Sequence, residues 1–493
     1  MPSEQARGWW VPLAYIAALT LLLRFYDLPL KPLHHDEGVN TLFVNQLVKP
    51  PHAYVYDPGN YHGPTLFYFA WLSVSVFGLN TVGIRLVTAG AGLIMVVLVV
   101  ALRHHLGTRG ALAAAAMLAS SSGAVYFARY FIHETLLVCF TLAAVVCAIQ
   151  WWTRRRIIYL FLAAASAGMM VATKETAIIS TVVIVGAAIG SAVFAAWPSI
   201  PHATRVLGAL RERGGIRTVT LAMVFGVAVA MLFYTSFLTN RAGAMAAVKT
   251  FAIWTKTGTS THTQPWYTYL KWLSVEEWPL LIMAAVGIIL ALFRRADRFA
   301  SFVALWAIGI ITAYSVIPYK TPWLVLNMIV PMALCAGVAF ERLWSVRSRA
   351  GSAVAWTVLL VMVGAATGRA AWLNFWHYDN ERSPYVYVHT SREILKLVSA
   401  VDRVEAAHPQ TPIAVMSRVY FPLPWYMRDY PAGYWGRVVT NTAPIIVGSV
   451  DQERQLDALF AADYAKAGPY LLRPGVLLLL YVRRDLRPSD PGS

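Results

Sequence analysis

Two adjacent carboxylates, Asp36 and Glu37, belong to a polar stretch over 34–40 that directly follows the first long apolar segment. A carboxylate beside a low-dielectric boundary can hold its proton more tightly than usual and act as a general base toward a hydroxyl group. The same residue types also suit the start of a helix, because Asp caps helix N-termini and Glu is favoured in the first turn. Spacing alone leaves both interpretations open.

The neighbouring imidazoles of His34 and His35 do not decide between these interpretations. Together with Asp36 and Glu37 they could ligate a divalent metal. Adjacent residues, however, rarely all face one ion, and no spaced partner motif accompanies them. The two histidines are therefore candidate site residues without an assigned role, and a metal requirement stays open.

Three cations, Arg129, Lys174 and Lys320, each stand at the end of a different apolar stretch. Cations at such a depth in a membrane are costly and usually mark a ligand or an ion pair. Three that converge would suit a phosphate group. The alternative is that each side chain reaches lipid headgroups, or that Lys174 pairs with the adjacent Glu175. Their combination with the carboxylates favours an anion-binding site.

Two turn motifs add candidate binding residues. A Gly-Pro turn follows His62, which could contact a phosphate or a sugar, although such a pair more often marks only a turn. Two prolines flank Tyr319 and Lys320, so the backbone there is expected to be broken, with polar groups facing a cavity.

The composition identifies the class of protein that must position these residues. The chain has 493 residues, of which 58% are hydrophobic and only 13% are charged, whereas ordinary soluble domains carry about 25% charged residues. Apolar stretches of roughly 17–23 residues, the length that crosses a bilayer as a helix, cover 9–29, 82–102, 110–128, 134–152, 157–173, 176–197, 218–238, 277–293, 299–317, 321–340 and 351–373. The chain is predicted to be a polytopic helical membrane protein of about eleven spans.

The formal net charge of +17 does not indicate nucleic-acid binding. Most basic residues lie in short tracts between apolar stretches, and no basic face with interleaved aromatic residues is present. The three cysteines all fall inside apolar stretches and suggest neither a disulfide framework nor a metal site.

The distribution of Arg and Lys predicts the topology. Segment 64–79 is apolar but short; if it lies in the interface, the Arg-rich connections after it face the cytoplasm, as the positive-inside rule requires. We therefore expect a cytoplasmic N-terminus and an in-plane helix over 64–79 within a first external loop, 30–81. The loops that carry the candidate carboxylates and cations then all lie on the extracytoplasmic face of the cytoplasmic membrane.

The chain divides by composition into a transmembrane module over 1–373 and a small extracytoplasmic α/β domain over 374–493. The expected elements of this domain are helices over 391–406 and 451–464, a strand over 413–417, and an apolar run over 476–482 that is too short to cross a membrane.

Several of these motifs together resemble the GT-C superfamily of membrane glycosyltransferases. They are the Asp-Glu pair after the first span, the His-Gly-Pro turn, Arg129 after the third span, Thr-Lys-Glu over 173–175 and Tyr-Lys-Thr-Pro-Trp over 319–323. Within that superfamily the chain is similar to the protein O-mannosyltransferase and aminoarabinose-transferase branch. Through 385–391 and 422–426 it also resembles the flippase-activity-associated proteins of archaeal-type glycosylation.

The resemblance implies a GT-C-type helical bundle that transfers a sugar from a polyprenyl-phosphate donor to a glycan, lipid or protein acceptor. Asp36 would be the base or acceptor-positioning carboxylate, with Glu37 as its neighbour. Arg129 and Lys320 would contact the donor phosphate. Relatives often carry Asp five residues after the Arg, where this chain has Glu134.

An alternative of another class is a flippase-associated or lipid-carrier-binding membrane protein without chemistry of its own. A translocation path would place polar residues at mid-bilayer depth, whereas most spans here are apolar through their centres. The sequence therefore favours the enzyme.

Overall fold

A computed structural model of the chain describes residues 8–52, 54–60, 62–196, 215–257, 262–293, 297–345, 349–440 and 442–486. Tyr61 and most of the basic connection over 198–217 lie outside the described residues. The chain forms two compact units. We call them the helical unit, made of Met1–Leu28, Ala53–Tyr378 and Arg382–Tyr385, and the sheet unit, made of Pro29–His52, Asp379–Glu381 and Val386–Ser493.

The described part of the chain contains twenty α-helices. They are α1 Trp10–Phe25, α2 His35–Val48, α3 Thr65–Phe77, α4 Thr81–Ala101, α5 Arg103–Leu106, α6 Thr108–Ser120, α7 Ser122–Ala128, α8 His133–Arg154, α9 Ile157–Thr173, α10 Ala177–Ala196, α11 Gly215–Tyr234, α12 Ala242–Thr257, α13 Thr268–Glu276, α14 Trp278–Phe293, α15 Arg298–Val316, α16 Leu326–Trp344, α17 Arg349–Ala371, α18 Ile394–Ala407, α19 Leu423–Tyr426 and α20 Glu453–Phe460.

The apolar stretches fold into helices that are long enough to cross a membrane. In the described part of the chain, 8 helices have the necessary length and apolar composition, or up to 10 if each bent pair counts as one span. The bent pairs are α6 with α7, at 58°, and α13 with α14, at 113°. Helix α9 and the 13-residue α3 are apolar but shorter. The chain is a multi-pass integral membrane protein, and each predicted span contains a helix.

Burial differs strongly among these helices. In an apolar stretch of 18 residues within Pro322–Trp344, which includes α16, 94% of the stretch is buried inside the protein. In the equivalent stretches of α11 and of Ala350–Trp376, only 17% is buried. Large apolar side chains such as Val224 and Leu360 are exposed on these helices. An apolar helix surface that the protein does not cover is suited to contact with lipid.

The sheet unit is an α/β structure. Its strands are β1 Ile413–Val415, β2 Ala432–Tyr434, β3 Ile445–Ser449, β4 Tyr464–Arg473 and β5 Val476–Arg483. They form one sheet in the order β2-β1-β3-β5-β4, with β1 parallel to β2 and β3 and the remaining pairs antiparallel. Apolar residues of α18 pack on one face of the sheet, and those of α20 pack on the other.

The predicted C-terminal elements are present. Helix α18 begins three residues after the expected Ser391, and α20 is shorter than the expected helix because a 3₁₀ turn, Val450–Gln452, precedes it. The short apolar run is strand β5, which lies between β3 and β4. The predicted domain limits remain a prediction.

An N-terminal segment completes the sheet unit. Helix α2 packs against α19, and the Leu33 backbone N–H donates to the Tyr426 hydroxyl at 3.0 Å. The Lys49 Nζ donates to the Arg428 carbonyl at 2.7 Å. A Cβ at Gly38 would lie 2.7 Å from the Pro422 Cβ, so the contact requires glycine at that position. The helix that carries Asp36 and Glu37 is therefore part of the sheet unit.

The turn before α3 makes a close backbone contact within the helical unit. The Gly63 N–H donates to the Thr173 carbonyl at 3.0 Å, and a Cβ at Gly63 would lie 2.0 Å from the Ala172 carbonyl oxygen. We expect Gly63→Ala to destabilise the protein by roughly 1–3 kcal/mol, the usual cost of overpacking. Thermal unfolding in detergent would measure this as a lower midpoint. Gly364→Ala is the control, because nothing lies within 4 Å of the added methyl group; equal midpoints for the two variants would contradict the expectation.

Candidate active site

The Asp-Glu pair opens helix α2, and its two carboxylates have different surroundings. The His34 backbone N–H donates to Glu37 Oε2 at 2.8 Å, and the Asp36 backbone N–H donates to His34 Nδ1 at 3.1 Å. The first of these bonds, together with a bond from the Glu37 backbone N–H to the His34 side chain, forms a capping box around the first turn. Glu37 is fully buried, whereas the Asp36 side chain is 40% exposed, with a carboxylate oxygen 4.0 Å from His34 Nδ1. The helix-start interpretation thus holds for Glu37, and Asp36 keeps an accessible carboxylate.

His34 joins this helix start to a second segment of the sheet unit. Its Nε2 lies 2.7 Å from the Tyr387 carbonyl oxygen. Because Nδ1 accepts from the Asp36 amide, the proton of a neutral ring belongs on Nε2, which then donates to Tyr387. Both ring nitrogens are occupied, and the orientation of His34 is fixed by both segments.

His35 contacts Arg473, which the sequence analysis did not identify as a candidate site residue. Its Nδ1 lies 3.3 Å from the Arg473 guanidinium, and its ring meets the Phe421 ring edge-on at 5.4 Å. Burial lowers the pKa of His35 to about 4; Asp36 raises it, while Arg473 and His34 lower it. His35 is therefore neutral at pH 7. Arg473 lies 438 positions from His35 in the chain, and no sequence motif indicated their contact.

We expect the cap provided by His34 to contribute measurable stability. His34→Ala removes the acceptor of the Asp36 amide, which at an N-cap costs roughly 0.5–2 kcal/mol. His34→Asn replaces Nδ1 with an amide oxygen that suits the same position. Thermal unfolding should therefore give a lower midpoint for His34→Ala than for His34→Asn, and the reverse order would count against the capping role.

In the helical unit, four of the predicted site residues line one cavity. They are His62, before α3; Lys174 and Glu175, between α9 and α10; and Tyr319, after α15. The other lining residues are mostly aromatic or apolar: Thr176, Ile179, Trp254, Tyr314, Ile317, Trp323 and Leu324. Aromatic faces with a few polar groups are typical of sites that bind a small polar ligand.

The carboxylate, ammonium and imidazole groups of this cavity are paired. Lys174 Nζ lies 2.6 Å from Glu134 Oε2, and His62 Nδ1 lies 3.0 Å from Glu175 Oε2. The Asn327 side-chain amide also donates to Glu134. Burial lowers the pKa of Lys174, but the Glu134 and Glu175 carboxylates raise it more, so it ends above its ordinary value. For the Glu175 carboxyl, burial raises the pKa, but His62 and Lys174 bring it below its ordinary value.

Two contributors were missed at the level of the sequence: Glu134, which pairs with the cavity residue Lys174, and Asn327, which donates to Glu134. The available signal was the position of Glu134 five residues after Arg129, where relatives often carry Asp. A second signal was an amide side chain inside the tenth apolar stretch, since polar groups in a span usually have a partner. The sequence left open a local pair of Lys174 with Glu175, whereas in the structure Lys174 pairs with Glu134 and Glu175 pairs with His62.

The other two candidate cations bind backbone carbonyls and are not among the residues that line this cavity. Arg129 Nη1 donates to the Tyr26 carbonyl at 2.6 Å, and its Nη2 donates to the Asp27 carbonyl at 2.7 Å. Lys320 Nζ donates to the carbonyls of Tyr314, Ser315 and Ile317 at 3.0, 3.0 and 2.5 Å. Cations in these positions satisfy the last carbonyls of a helix. Their contact with a phosphate stays a prediction.

Among the described residues, no group of three or more His, Cys, Asp or Glu side chains is arranged to hold a metal ion.

Comparisons with known proteins identify the fold. The structure aligns with ArnT from Cupriavidus metallidurans in the apo state with a TM-score of 0.71 and 15% identity, covering 99% of this chain and 100% of that chain. It aligns with the same protein bound to undecaprenyl phosphate with a TM-score of 0.66 and 15% identity, covering 97% and 99%. The predicted resemblance is confirmed at the level of the fold, which this chain shares with ArnT.

Two further comparisons agree with this fold. The arabinofuranosyltransferase AftD from Mycobacteria matches with a TM-score of 0.51 and 14% identity, over 97% of this chain and 40% of that chain. The sequence over 61–211 matches the family model described as dolichyl-phosphate-mannose-protein mannosyltransferase. No curated protein matches the chain in sequence.

The buried ion pair of Lys174 and Glu134 predicts that removal of one partner destabilises the protein much more than replacement of both. Lys174→Met leaves the Glu134 carboxylate buried without its cation, which typically costs about 3–5 kcal/mol. We therefore expect a clearly lower midpoint of thermal unfolding in detergent. In the double variant Lys174→Met with Glu134→Gln no charge is left unpaired, and much of the loss should be recovered.

The exposed cation Lys466, which pairs with Glu453 and Asp457 at 2.7 and 2.8 Å, provides a control. Lys466→Met should change the midpoint little, because water screens exposed ion pairs. A double variant as unstable as Lys174→Met alone would show that the pair is not the source of the effect.

Proposed function

We propose that this protein is a membrane glycosyltransferase that transfers a sugar from a polyprenyl-phosphate donor to an acceptor hydroxyl at the extracytoplasmic face, with Asp36 as the general base. The observation that carries the proposal is that the two carboxylates at the start of α2 have different surroundings. Glu37 and His34 satisfy the first turn, while the carboxylate of Asp36 is 40% exposed. A base must be able to reach the proton that it removes.

The proposed reaction is a single displacement with inversion at the anomeric carbon. The Asp36 carboxylate takes the proton of the acceptor hydroxyl as the acceptor oxygen forms its bond to that carbon. The bond to the phosphate oxygen breaks, and its electron pair leaves with the polyprenyl phosphate. Positive charge that develops on the sugar ring in such a transition state is stabilised by nearby carboxylates. The step consumes no cofactor.

Support for a lipid-phosphate donor comes from one matched protein, from the matching family model and from the cavity of the helical unit. One of the ArnT structures is bound to undecaprenyl phosphate, and the family model that matches 61–211 refers to a dolichyl-phosphate sugar. The cavity combines Trp254 and Trp323 with His62, Lys174 and Tyr319. Aromatic faces suit a sugar ring, and the polar groups suit hydroxyl and phosphate oxygens.

Within this proposal, Lys174 acts as a hydrogen-bond donor whose charge is already compensated by Glu134. Arg129 and Lys320 would contact the phosphate only by exchanging some of their backbone carbonyl partners. We therefore place His62, Lys174 and Tyr319 first among the donor-binding candidates. The extracytoplasmic location rests on the positive-inside distribution of Arg and Lys.

The central test is Asp36→Asn in the full-length protein, with a polyprenyl-phosphate sugar as donor. Loss of a general base typically lowers the rate by roughly 10²–10⁴-fold, so transfer should fall to background while the thermal unfolding midpoint stays near that of the wild type. Asp36→Glu keeps a carboxylate and should retain part of the activity. Asp429→Asn, which removes a 64% exposed carboxylate of the sheet unit, is the matched control.

The same measurement separates the enzyme from a lipid-carrier-binding protein without chemistry. If wild-type protein binds polyprenyl phosphate but forms no sugar product with any donor and acceptor class, the binding function replaces the proposed one. If the wild type forms product and Asp36→Asn forms it at the same rate, the assignment of Asp36 as base is wrong.

A further inference from the structure

We propose that Tyr314 and Thr176 form the subsite for the sugar ring of the donor, a hexose or a pentose, and that their two hydroxyl groups bind hydroxyl groups of that sugar. The identity of the ligand rests on the proposed function, in which the cavity of the helical unit binds the lipid-phosphate donor. Both residues line that cavity, Tyr314 from α15 and Thr176 from the position directly before α10.

The hydroxyl groups of these two residues are buried without a hydrogen-bond partner in the described part of the chain. Tyr314 is 1% exposed and Thr176 is 6% exposed. The two hydroxyls lie close to each other but do not meet the geometry of a hydrogen bond. A buried hydroxyl without a partner costs free energy, and most buried polar groups of proteins are hydrogen-bonded. Two such hydroxyls in the wall of one cavity therefore indicate a polar ligand.

Thr176 stands at a position where threonine usually caps a helix. A capping threonine accepts a hydrogen bond from a backbone N–H of the first turn, but the Thr176 hydroxyl has no such bond among the described residues. The backbone N–H of Ile179, three residues on, donates to the Thr176 carbonyl at 3.0 Å instead. The helix start is therefore satisfied by the backbone, and the side-chain hydroxyl is left for the cavity.

The ring of Tyr314 has a fixed place in the wall of the cavity. Its backbone carbonyl accepts from Lys320 Nζ at 3.0 Å, and its ring meets the Tyr269 ring edge-on, with the centroids 6.3 Å apart. A group that is already held in place loses little freedom when a ligand binds. The Tyr314 hydroxyl can therefore distinguish ligands by the position of their own hydroxyl groups.

The other polar residues of the cavity favour the sugar over the phosphate of the donor. Lys174 is paired with Glu134, and Glu175 is paired with His62. Lys320 directs its Nζ to three backbone carbonyls and is not a lining residue. Phosphate is bound most strongly by cations, whereas the lining groups without a partner are neutral hydroxyls. A hydroxyl both donates and accepts, as a sugar hydroxyl does.

Aromatic side chains complete the subsite. Trp254, Tyr319 and Trp323 line the same cavity as the two hydroxyls. Aromatic rings provide large apolar faces, and ligand sites typically combine such faces with a few polar groups that fix the orientation of the ligand. A sugar ring has an apolar face and hydroxyl groups at its edge, so it matches both kinds of lining residue.

The test compares lipids with and without a sugar, bound to the full-length protein in a detergent that has no sugar headgroup. The sugar-bearing probes are undecaprenyl-phosphate mannose, glucose and arabinose, and undecaprenyl phosphate is the reference; titrations followed by native mass spectrometry give the dissociation constants. We expect the wild type to bind at least one sugar-bearing lipid more tightly than the reference.

Two variants remove only a hydroxyl group. Tyr314→Phe and Thr176→Val should each weaken binding of the preferred sugar-bearing lipid by roughly 2–10-fold, the effect of one lost hydrogen bond. Binding of undecaprenyl phosphate should not change, because that lipid has no sugar. Thr176→Ser keeps the hydroxyl and should bind all of the lipids as the wild type does.

Tyr126→Phe is the matched control, because Tyr126 is a fully buried tyrosine of the same unit that does not line the cavity. Its hydroxyl lies 2.9 Å from the Tyr130 hydroxyl and donates to the Tyr378 carbonyl at 3.2 Å. The control should lower the midpoint of thermal unfolding, since a buried hydrogen bond is lost, and should leave every dissociation constant unchanged. Without lipid, Tyr314→Phe should not lower the midpoint, since it removes no such bond.

Three results would overturn the proposal. The wild type binds no sugar-bearing lipid more tightly than undecaprenyl phosphate; the hydroxyl-removing variants bind every lipid as the wild type does; or they lose affinity equally for lipids with and without a sugar. The second result would mean that the two hydroxyls face water or each other, and the third that they act on the phosphate or the lipid chain.

Sugar transfer by the same proteins separates the subsite from the proposed function. If the variants lose affinity for the sugar-bearing lipid but the wild type transfers no sugar to any acceptor class, the proposed function fails and the sugar subsite stands. If the wild type transfers sugar and Asp36→Asn does not, while Tyr314→Phe and Thr176→Val keep the wild-type affinities, the proposed function stands and the subsite is wrong.

Discussion

A helix that ends inside or beside a membrane must satisfy its last carbonyl groups within the protein, because the hydrocarbon offers no hydrogen-bond donors. In the helical unit, cationic side chains meet this requirement. Lys320 binds three carbonyls at the end of α15, and Arg129 binds those that follow α1. Arg24 donates to the Ala119 and Leu118 carbonyls at 2.9 and 3.0 Å, where α6 bends into α7. Each closed helix end fixes the start of the loop that follows it, and Tyr319 reaches the cavity from one of them.

The same physics sets the limit of what the sequence could predict. Hydropathy and length are local properties, so the spans, the broken backbone around Tyr319 and the C-terminal α/β elements were all predictable. The partner of a cation is not a local property. A lysine that closes a helix end and a lysine that binds a phosphate look alike in sequence. The difference between Lys320 and Lys174 therefore became visible only with their contacts, to carbonyls for one and to Glu134 for the other.

The grouping of the Asp-Glu motif was not predictable for a related reason. Composition changes after the last span, so the sequence suggests a boundary near residue 373 and leaves the motif with the spans. In the structure, residues 29–52 form one compact unit with the C-terminal sheet. The contacts responsible, such as Leu33 with Tyr426 and Lys49 with Arg428, join positions more than 370 residues apart. A pattern read along the chain contains no information about such pairs.

The assembly of this unit explains why two adjacent carboxylates need not share a function. A helix start has unsatisfied N–H groups, and a buried carboxylate that accepts from one of them is stabilised in place. Glu37 takes that position, with His34 as the reciprocal acceptor, and Asp36 is left at the surface of the first turn. The helix-start and general-base interpretations of the motif are therefore compatible, because the cap made by Glu37 holds the Asp36 carboxylate at a defined place.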